Sequence, residues 1–357
     1  MQRFHENSDS VWCKLVNSNL RSYARKLSFG LIIMMLATKG QTVRAQFEPL
    51  PQRDNASMMN LIRPVTEKIS GSVVQVYSGD RPVALGTIVA EDGFILTKRS
   101  ELSGDPIRVR LSDGQLLPAR VAAVRRSNDL AMLRVEGDLN LRPAKFGGEI
   151  PRVASFVISV GRKSNPIGLG VIGAKPRPIS HQGRLGVLLQ DDRTGRAMVR
   201  GVFPDSGAEA AGLKKGDLIV AINGRKERSR LGVIETLRGM FPGESVRLTI
   251  SRDDEAEDPS TMDVDASIRD LNVMQESESD ARVNGPRNVR LSGFDQVMQH
   301  DTVLDPDECG GPLMDSKGNV IGINIARAGR VVSYALPASL IIPEMVSMLS
   351  EARSASR

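Results

Sequence analysis

The sequence predicts a mainly β protein, a barrel or a sandwich, whose second half is interrupted by a small α+β module. Short runs of β-type residues, broken by Gly, Asp and Pro, recur about every ten residues between 72 and 135, as in all-β architectures. Similar runs resume on both sides of a stretch, 180–252, that contains one amphipathic helix. The chain of 357 residues is 40% hydrophobic and 25% charged, so disorder over most of its length is excluded.

The predicted elements form three sets. The first half contains strands at 72–77, 84–90, 94–97, 107–111, 119–125 and 130–135. The second half contains strands at 155–160, 170–174, 297–299, 311–314, 320–325 and 331–336, and a helix at 343–353. The inserted module contains strands at 183–190, 197–202, 217–223, 245–251 and 261–267. Its helix is predicted at 230–240, where Leu231, Ile234, Leu237 and Met240 are three residues apart.

The positive charge of the chain is concentrated at its start. There are 48 Lys and Arg against 42 Asp and Glu, but residues 1–45 hold seven basic and two acidic side chains. The remainder is close to neutral, with 41 basic and 40 acidic residues. Nucleic-acid binding through bulk charge is therefore not expected.

The first 45 residues resemble an export signal. Arg21, Arg25 and Lys26 precede an apolar run at 27–37, and the small residues Val43 and Ala45 lie before a predicted cut that leaves Gln46 first. An uncleaved anchor is the alternative, although 11 residues fall short of the ~17–25 of a spanning helix. Cleavage predicts a periplasmic or secreted protein without stable membrane insertion. It would also leave Cys309 as the only thiol, which excludes an intramolecular disulfide.

Three ordered stretches resemble the HtrA/Deg family of trypsin-like proteases. They are DGFILT at 92–97, NDLAML at 128–133, and CGGPL at 309–313 followed by GNVIGIN at 318–324. The inserted module resembles a PDZ domain, through RLGV at 184–187 and AEAAGLKKGDLIVAING at 208–224. The resemblance implies a trypsin-like double six-stranded β-barrel with an α+β PDZ domain inserted in the second barrel, an order unusual for that family.

This resemblance implies a division of the chain into domains. After the signal peptide at 1–45 we expect a linker or helix at 46–62 and the first barrel at 63–150. The second barrel is expected at 151–180 and 286–345, on either side of the PDZ domain at 181–268 and an acidic, flexible linker at 269–285. A C-terminal helix and tail at 346–357 end the chain.

The resemblance also locates a degenerate catalytic triad. The base position, after Thr97-Lys98-Arg99, holds Ser100; the carboxylate is Asp129; and the nucleophile position holds Cys309. Asp307 replaces the Gly that the family uses as an oxyanion donor, and would oppose developing negative charge. A hydroxyl cannot accept the nucleophile's proton near neutral pH, and losing one member of such a triad costs on the order of 10⁶ in turnover. The sequence therefore predicts little or no proteolysis.

Other roles remain open for these residues. Cys309 is either a buried, inert thiol or a nucleophile served by His300, the one serious candidate for a replacement base; Asp307 and Glu308 are expected to raise its pKa. Asp129 is either a relic that bonds Ser100 or a backbone amide, or the orienting carboxylate. His181 is expected to act as a hinge residue. No His-Glu-x-x-His or Cys-x-x-Cys spacing predicts a metal site, and no cofactor is expected.

The PDZ-like module retains its binding features. The predicted peptide-binding residues are Arg184, Leu185, Gly186, Val187, Leu231 and Ile234. The expected partners are polypeptide C-termini or unfolded proteins, with no nucleic acid, and the resemblance suggests a homotrimer. The sequence thus favours an inactive scaffold in envelope protein quality control. The alternatives are an endopeptidase that uses Cys309, and a structural subunit that packs with active relatives.

Overall fold

The computed structural model describes residues 55–355 except 103, 138, 140, 148, 164, 165 and 253–259. The predicted signal peptide and its cut before Gln46 lie outside the described residues. Among the described residues, no helix combines the length and the hydropathy that a membrane crossing requires.

Six antiparallel strands close the first barrel in the order β1-β2-β3-β6-β5-β4. They are β1 Val73–Ser78, β2 Arg81–Ile88, β3 Phe94–Lys98, β4 Ile107–Arg110, β5 Leu116–Arg125 and β6 Leu130–Val135. Their alternating β-branched and aliphatic side chains, such as Val76, Ile95 and Leu133, fill the interior. The six strands predicted from the spacing are confirmed, with shifts at their ends.

The second barrel begins with β7 Phe156–Val160 and β8 Pro166–Ile179, and the inserted module follows. That module has a main sheet of order β10-β11-β12-β14-β15, a short β13 that pairs with β12, and a two-stranded β9-β16 ribbon. Its strands are β9 Gly183–Arg184, β10 Val187–Asp191, β11 Ala197–Val202, β12 Leu218–Ile222, β13 Arg225–Lys226, β14 Ser245–Arg252, β15 Ser260–Ser267 and β16 Arg269–Asp270.

Four strands after the module complete the second barrel, in the closed order β17-β20-β19-β18-β7-β8. They are β17 Phe294–His300, β18 Pro312–Asp315, β19 Val320–Gly329 and β20 Val332–Pro337. Because β17 pairs with β8, strands on opposite sides of the insertion lie side by side. The predicted double barrel with an inserted α+β module is confirmed.

Six helices accompany the strands in the described part of the chain. They are α1 Ala56–Ser70, α2 Gly207–Ala210, α3 Arg230–Arg238, α4 Leu271–Met274, α5 Glu278–Asn284 and α6 Ala338–Ser354. Helix α1 begins at a cap in which Asn55 Oδ1 accepts from Met58 N at 2.9 Å. It packs Met58, Ile62 and Val65 against the second barrel.

Three expectations about the connections need correction. The first barrel begins at Val73 rather than at 63, because α1 continues to Ser70 despite the internal Pro64, which obscured its helical pattern. The expected flexible linker at 269–285 is instead folded into β16, α4 and α5, since Asp270 and Ser277 cap the two helices. The last helix begins at Ala338, before the predicted 343, and Pro343 lies inside it.

Candidate functional site

The fold brings the base and carboxylate positions of the expected triad together. Ser100 follows the end of β3, and Asp129 lies just before β6 with a left-handed φ of 58°. The Ser100 backbone N–H donates to Asp129 Oδ1 at 2.8 Å, and its hydroxyl donates to Oδ2 at 2.7 Å. Asp129 is fully buried. Both of its oxygens accept hydrogen bonds from a residue that offers no basic nitrogen in its side chain.

Buried charges surround this pair. Burial raises the pKa of Asp129, and the positive charges of Lys98 and Arg290 act in the opposite direction. Lys98 is itself fully buried and pairs with Glu101 at 3.1 Å. Burial pushes the pKa of Glu101 upwards, but the Lys98 charge and hydrogen bonds such as that from Asn288 outweigh burial and hold it below its usual range. Lys98 and Glu101 therefore form a fixed ion pair near Asp129.

Cys309 lies in the loop before β18, fully buried. The loop is held against the first barrel, because Leu85 N donates to the Cys309 carbonyl at 2.8 Å. A side chain at Gly310 would meet the Leu85 carbonyl at 1.9 Å, so only glycine fits there. Burial raises the pKa of the Cys309 thiol to about 12, although the Lys98 charge acts to lower it. The thiol is therefore protonated at neutral pH.

The oxyanion loop is folded into a short 3₁₀ turn at Pro306–Glu308. The Cys309 N–H points at the Pro306 carbonyl at 3.4 Å, and Glu308 N donates to the Asp305 carbonyl at 3.0 Å. Burial, followed by the charge of Asp305, raises the pKa of Asp307. The amide that would stabilise an oxyanion is thus directed at a carbonyl, beside acidic side chains.

The two described histidines, His181 and His300, contact groups other than the Cys309 thiol. His300 is a buried residue of β17, and its Nδ1 lies 2.9 Å from Thr302 Oγ1. The contact of the Cys309 sulfur is with the Asp305 carbonyl, at 4.0 Å. His181 Nδ1 accepts from Gly183 N at 3.2 Å, and its ring packs against Phe241. Within the described residues, the structure pairs neither imidazole with the thiol.

The inserted module contacts Ser100, at the expected base position, through the turn between α3 and β14. A Cβ added to Gly243 would lie 3.1 Å from Ser100 Cβ. The next residue, Glu244, pairs with Arg99 at 3.0 Å and with Arg126 at 2.6 Å. This contact could not be predicted from the sequence, because no periodic pattern relates residues so far apart in the chain.

A second candidate site is a groove of about 400 Å³ in the inserted module. Its lining includes four of the predicted residues, Arg184–Val187, which run from the end of β9 to the start of β10. The predicted Ile234 of α3 also lines the groove. The loop is fixed by its carbonyls: Ala208 N donates to Leu185 O at 3.0 Å, and Phe203 N donates to Gly186 O at 2.9 Å. Gly186 has a φ of 90°, which favours glycine. The predicted Leu231 lies outside the lining and is 63% exposed.

The groove has the features that recognition of a chain end requires. Strand β10 is an edge of the main sheet and lines the groove, so a bound segment can add to the sheet beside it. Arg184 and Arg238 are among the lining residues, and no Asp or Glu is among the described lining residues. Several lining residues were not predicted from the sequence, namely Phe203, Arg238, Leu271, Met274 and Gln275.

Metal chemistry finds no support in the donor set. In the described ranges, no group of three or more His, Cys, Asp or Glu side chains is arranged to hold a metal ion.

Comparison with known families identifies the module. A family model described as PDZ domain matches residues 183–262. The match covers the loop at Arg184–Val187, named the carboxylate loop below for its predicted role, together with α3 and strands β10 to β14, and it ends within β15. The inserted module is therefore a PDZ domain.

Relatives are similar over a larger part of the chain. A probable periplasmic serine endoprotease DegP-like protein of Marinomonas sp. (strain MWYL1) is 25% identical over 280 residues, which cover 55% of this chain and 59% of that protein. A mitochondrial serine protease HTRA2 of Drosophila erecta is 26% identical over 196 residues, or 49% of this chain and 45% of that protein. The chain thus spans about half the length of these curated relatives.

The solved structure of Rv3671c from M. tuberculosis, in an inactive form, is also similar to this chain. It covers 83% of this chain and 94% of its own, at 16% identity and a TM-score of 0.40. The fold assignment rests on the two closed barrels and the matched module. The chain is a homologue of the DegP/HtrA serine proteases, with a trypsin-like double barrel and an inserted PDZ domain.

Proposed function

We propose that this protein is an exported HtrA-like scaffold without proteolytic activity that binds polypeptide C-termini or unfolded segments in envelope protein quality control. The observation that carries the proposal is the pairing of Ser100 with both oxygens of Asp129, which fills the place of the general base with a hydroxyl. The buried thiol of Cys309 supports the same conclusion. So does the Cys309 backbone N–H, which points at the Pro306 carbonyl.

The retained function is assigned to the PDZ groove. A free edge strand, a loop shaped by Gly186 and two guanidinium groups suit a peptide that ends in a carboxylate. One relative is a probable periplasmic serine endoprotease, which supports an envelope location for this chain. The family resemblance extends the proposal to a homotrimer, which light scattering on the purified protein would test.

The test combines a cleavage assay with a binding assay on the full chain. Casein should not be cleaved above the buffer rate, and a labelled decapeptide ending in Leu should bind as its free acid but not as its C-terminal amide. Ile234→Asp should weaken that binding by about tenfold or more, because it places a charge in an apolar groove. Met262→Asp is the matched control, since Met262 is exposed at the opposite edge of the sheet.

Two results would contradict the proposal. Casein cleavage that Cys309→Ala abolishes would establish the alternative, an endopeptidase with a cysteine nucleophile. Equal binding of the acid and the amide, or equal effects of the two Asp variants, would remove the groove as the binding site.

A further inference from the structure

The PDZ groove has a third wall that comes from outside the matched PDZ region. Besides the loop and α3, its lining includes Leu271, Met274 and Gln275, which belong to α4 and the residue after it. These residues follow the matched range 183–262 and lead back to the second barrel. The shape of the groove therefore depends on a segment that lies outside the matched range.

Backbone pairing holds this segment beside the carboxylate loop. In the short ribbon of β16 and β9, Arg269 lies opposite Arg184 and Asp270 lies opposite Gly183. The first residue of α4 continues the contact, because Leu271 N donates to the Gln182 carbonyl at 2.9 Å. The helix thus starts directly next to the loop that would receive a peptide carboxylate.

The same segment is anchored to the barrel side of the molecule. Asp270 is 1% exposed, accepts from Ser292 Oγ and caps α4 by accepting from Asn272 N at 3.1 Å. Val273 packs against the core cluster that includes Leu291 and Phe294. Consecutive residues of α4 therefore face different partners: Val273 contacts the barrel core, and Met274 contacts the groove.

The end of the segment is held in a comparable way. Glu276, two residues beyond Met274, forms an ion pair with Arg287 and accepts from Asn284 Nδ2 at 2.6 Å. Arg287 belongs to the chain that enters the second barrel. Both ends of the wall are thus fixed by contacts outside the PDZ sheet, so that a peptide meets a preformed surface.

The Met274 side chain contacts the loop at Gly186. A Cβ added to Gly186 would lie 3.0 Å from Met274 Cε, which places the methyl group on the loop itself. Methionine is unbranched and polarizable, and it adapts its packing to neighbouring apolar groups. A terminal side chain bound next to this loop would therefore contact the Met274 thioether.

We propose that α4 is a specificity-determining wall of the groove and that Met274 limits the size of the C-terminal side chain it accepts. The ligand class is a polypeptide C-terminus that ends in Leu or Met rather than Trp. The groove volume of about 400 Å³ is near the lower end for ligand sites, which suits a short chain end with a mid-sized apolar side chain. This inference rests on the proposed function of the groove.

The experiment measures binding of two labelled decapeptides, identical except for a terminal Leu or Trp, to the full chain. For Met274→Ala we expect the affinity for the Leu peptide to fall about fivefold, and the affinity for the Trp peptide to rise because the pocket is larger. The ratio of the two affinities, Leu over Trp, should therefore fall about tenfold. Met274→Trp should fill the space and weaken both peptides about tenfold or more. Val283→Ala, an exposed position on α5 in the same segment, should stay within twofold of the parent protein.

The outcomes separate the two proposals. If the parent protein binds the free acid over the amide but both Met274 variants keep its Leu-to-Trp preference and affinity within twofold, the wall is not a specificity determinant while the binding function stands. If the parent protein binds neither peptide, both proposals are wrong.

Discussion

The Ser100 hydroxyl donates to Asp129 at 2.7 Å, at the position where the family resemblance led us to expect an imidazole. Cys309, at the expected nucleophile position, has a sulfur that could act as a nucleophile, but the environment of this sulfur is unsuitable. Its sulfur is fully buried, its pKa is raised to about 12 by burial, and no base has been brought to it within the described residues. At this scale the proposed loss of proteolytic activity follows from the environment of the sulfur as well as from residue identity.

Thiol labelling tests this environment. In the folded protein, Cys309 should react with iodoacetamide at pH 8 on the order of a thousandfold more slowly than an ordinary cysteine, because a pKa near 12 leaves little thiolate. The rate should rise with pH up to about that value, and unfolding in urea should restore ordinary labelling. Rapid labelling of the native protein with a plateau below pH 8.5 would instead indicate an activated nucleophile.

The turn between α3 and β14 joins the PDZ domain to the first barrel beside Ser100. Its Glu244 is 6% exposed, accepts from Phe241 N at 3.1 Å, and pairs with Arg99 and Arg126 of the first barrel. Burial pushes the pKa of Glu244 upwards, but the hydrogen bonds from Arg126 and Phe241 and the charges of both arginines outweigh it and hold it below its usual range. The ionised carboxylate of Glu244 therefore holds the turn on the first barrel.

Replacing this carboxylate should change both stability and its pH dependence. We expect Glu244→Gln to lower the free energy of unfolding at pH 7 by about 2–3 kcal/mol, since buried charge partners lose their counter-charge. A lowered folded-state pKa stabilises the fold above the ordinary value of 4.5 and loses that contribution as the pH falls through the folded-state value. Urea denaturation between pH 7 and pH 3 should therefore show a smaller difference between variant and parent at acid pH.

The exposed Glu235 of α3 provides the control, and Glu235→Gln should leave the unfolding curves unchanged within about 0.5 kcal/mol. A Glu244→Gln variant with the parent's stability at pH 7 would contradict the assigned role of the turn.

At the scale of the whole molecule, Arg290 connects both barrels and the PDZ domain. Its guanidinium is fully buried and donates to the carbonyls of Arg126 and Ser127, next to Asp129, and to those of Ser292 and Gly293 before β17. Its centre lies 4.0 Å from the ring centroid of Phe241. Burial lowers the pKa of Arg290 to about 10, so the side chain stays charged at neutral pH.

A lysine cannot reproduce this arrangement, because it lacks the planar fork that reaches several carbonyls at once. Arg290→Lys should therefore lower the free energy of unfolding by about 3 kcal/mol, measured by urea denaturation. Arg193→Lys, on an exposed turn of the PDZ domain, is the matched control and should have no measurable effect. Equal stability of the two variants would show that Arg290 does not hold the parts together.

Local patterns predicted much of this architecture. The alternating apolar residues of β1 to β6 identify strands because each side chain must face either the barrel interior or its surface. Ile234 was placed in the groove by its helical spacing, yet Leu231 of the same apolar pattern is exposed, because the PDZ core takes up one side of α3 only. Acidic composition suggested flexibility at 269–285, where Asp270 and Ser277 instead serve as helix caps.

The amino-acid sequence by itself determined a mainly β chain with an inserted α+β module and the absence of an imidazole at residue 100, because strand periodicity and side-chain chemistry are properties of short segments. The double barrel was implied by the resemblance of three short stretches to the HtrA/Deg family. Only the tertiary structure decided that the turn at Glu244 contacts Ser100 and that Met274 lines the peptide groove. These contacts join residues far apart in the chain, and they arise from the packing of closed barrels and an anchored insert, which leaves no periodic signal in the sequence.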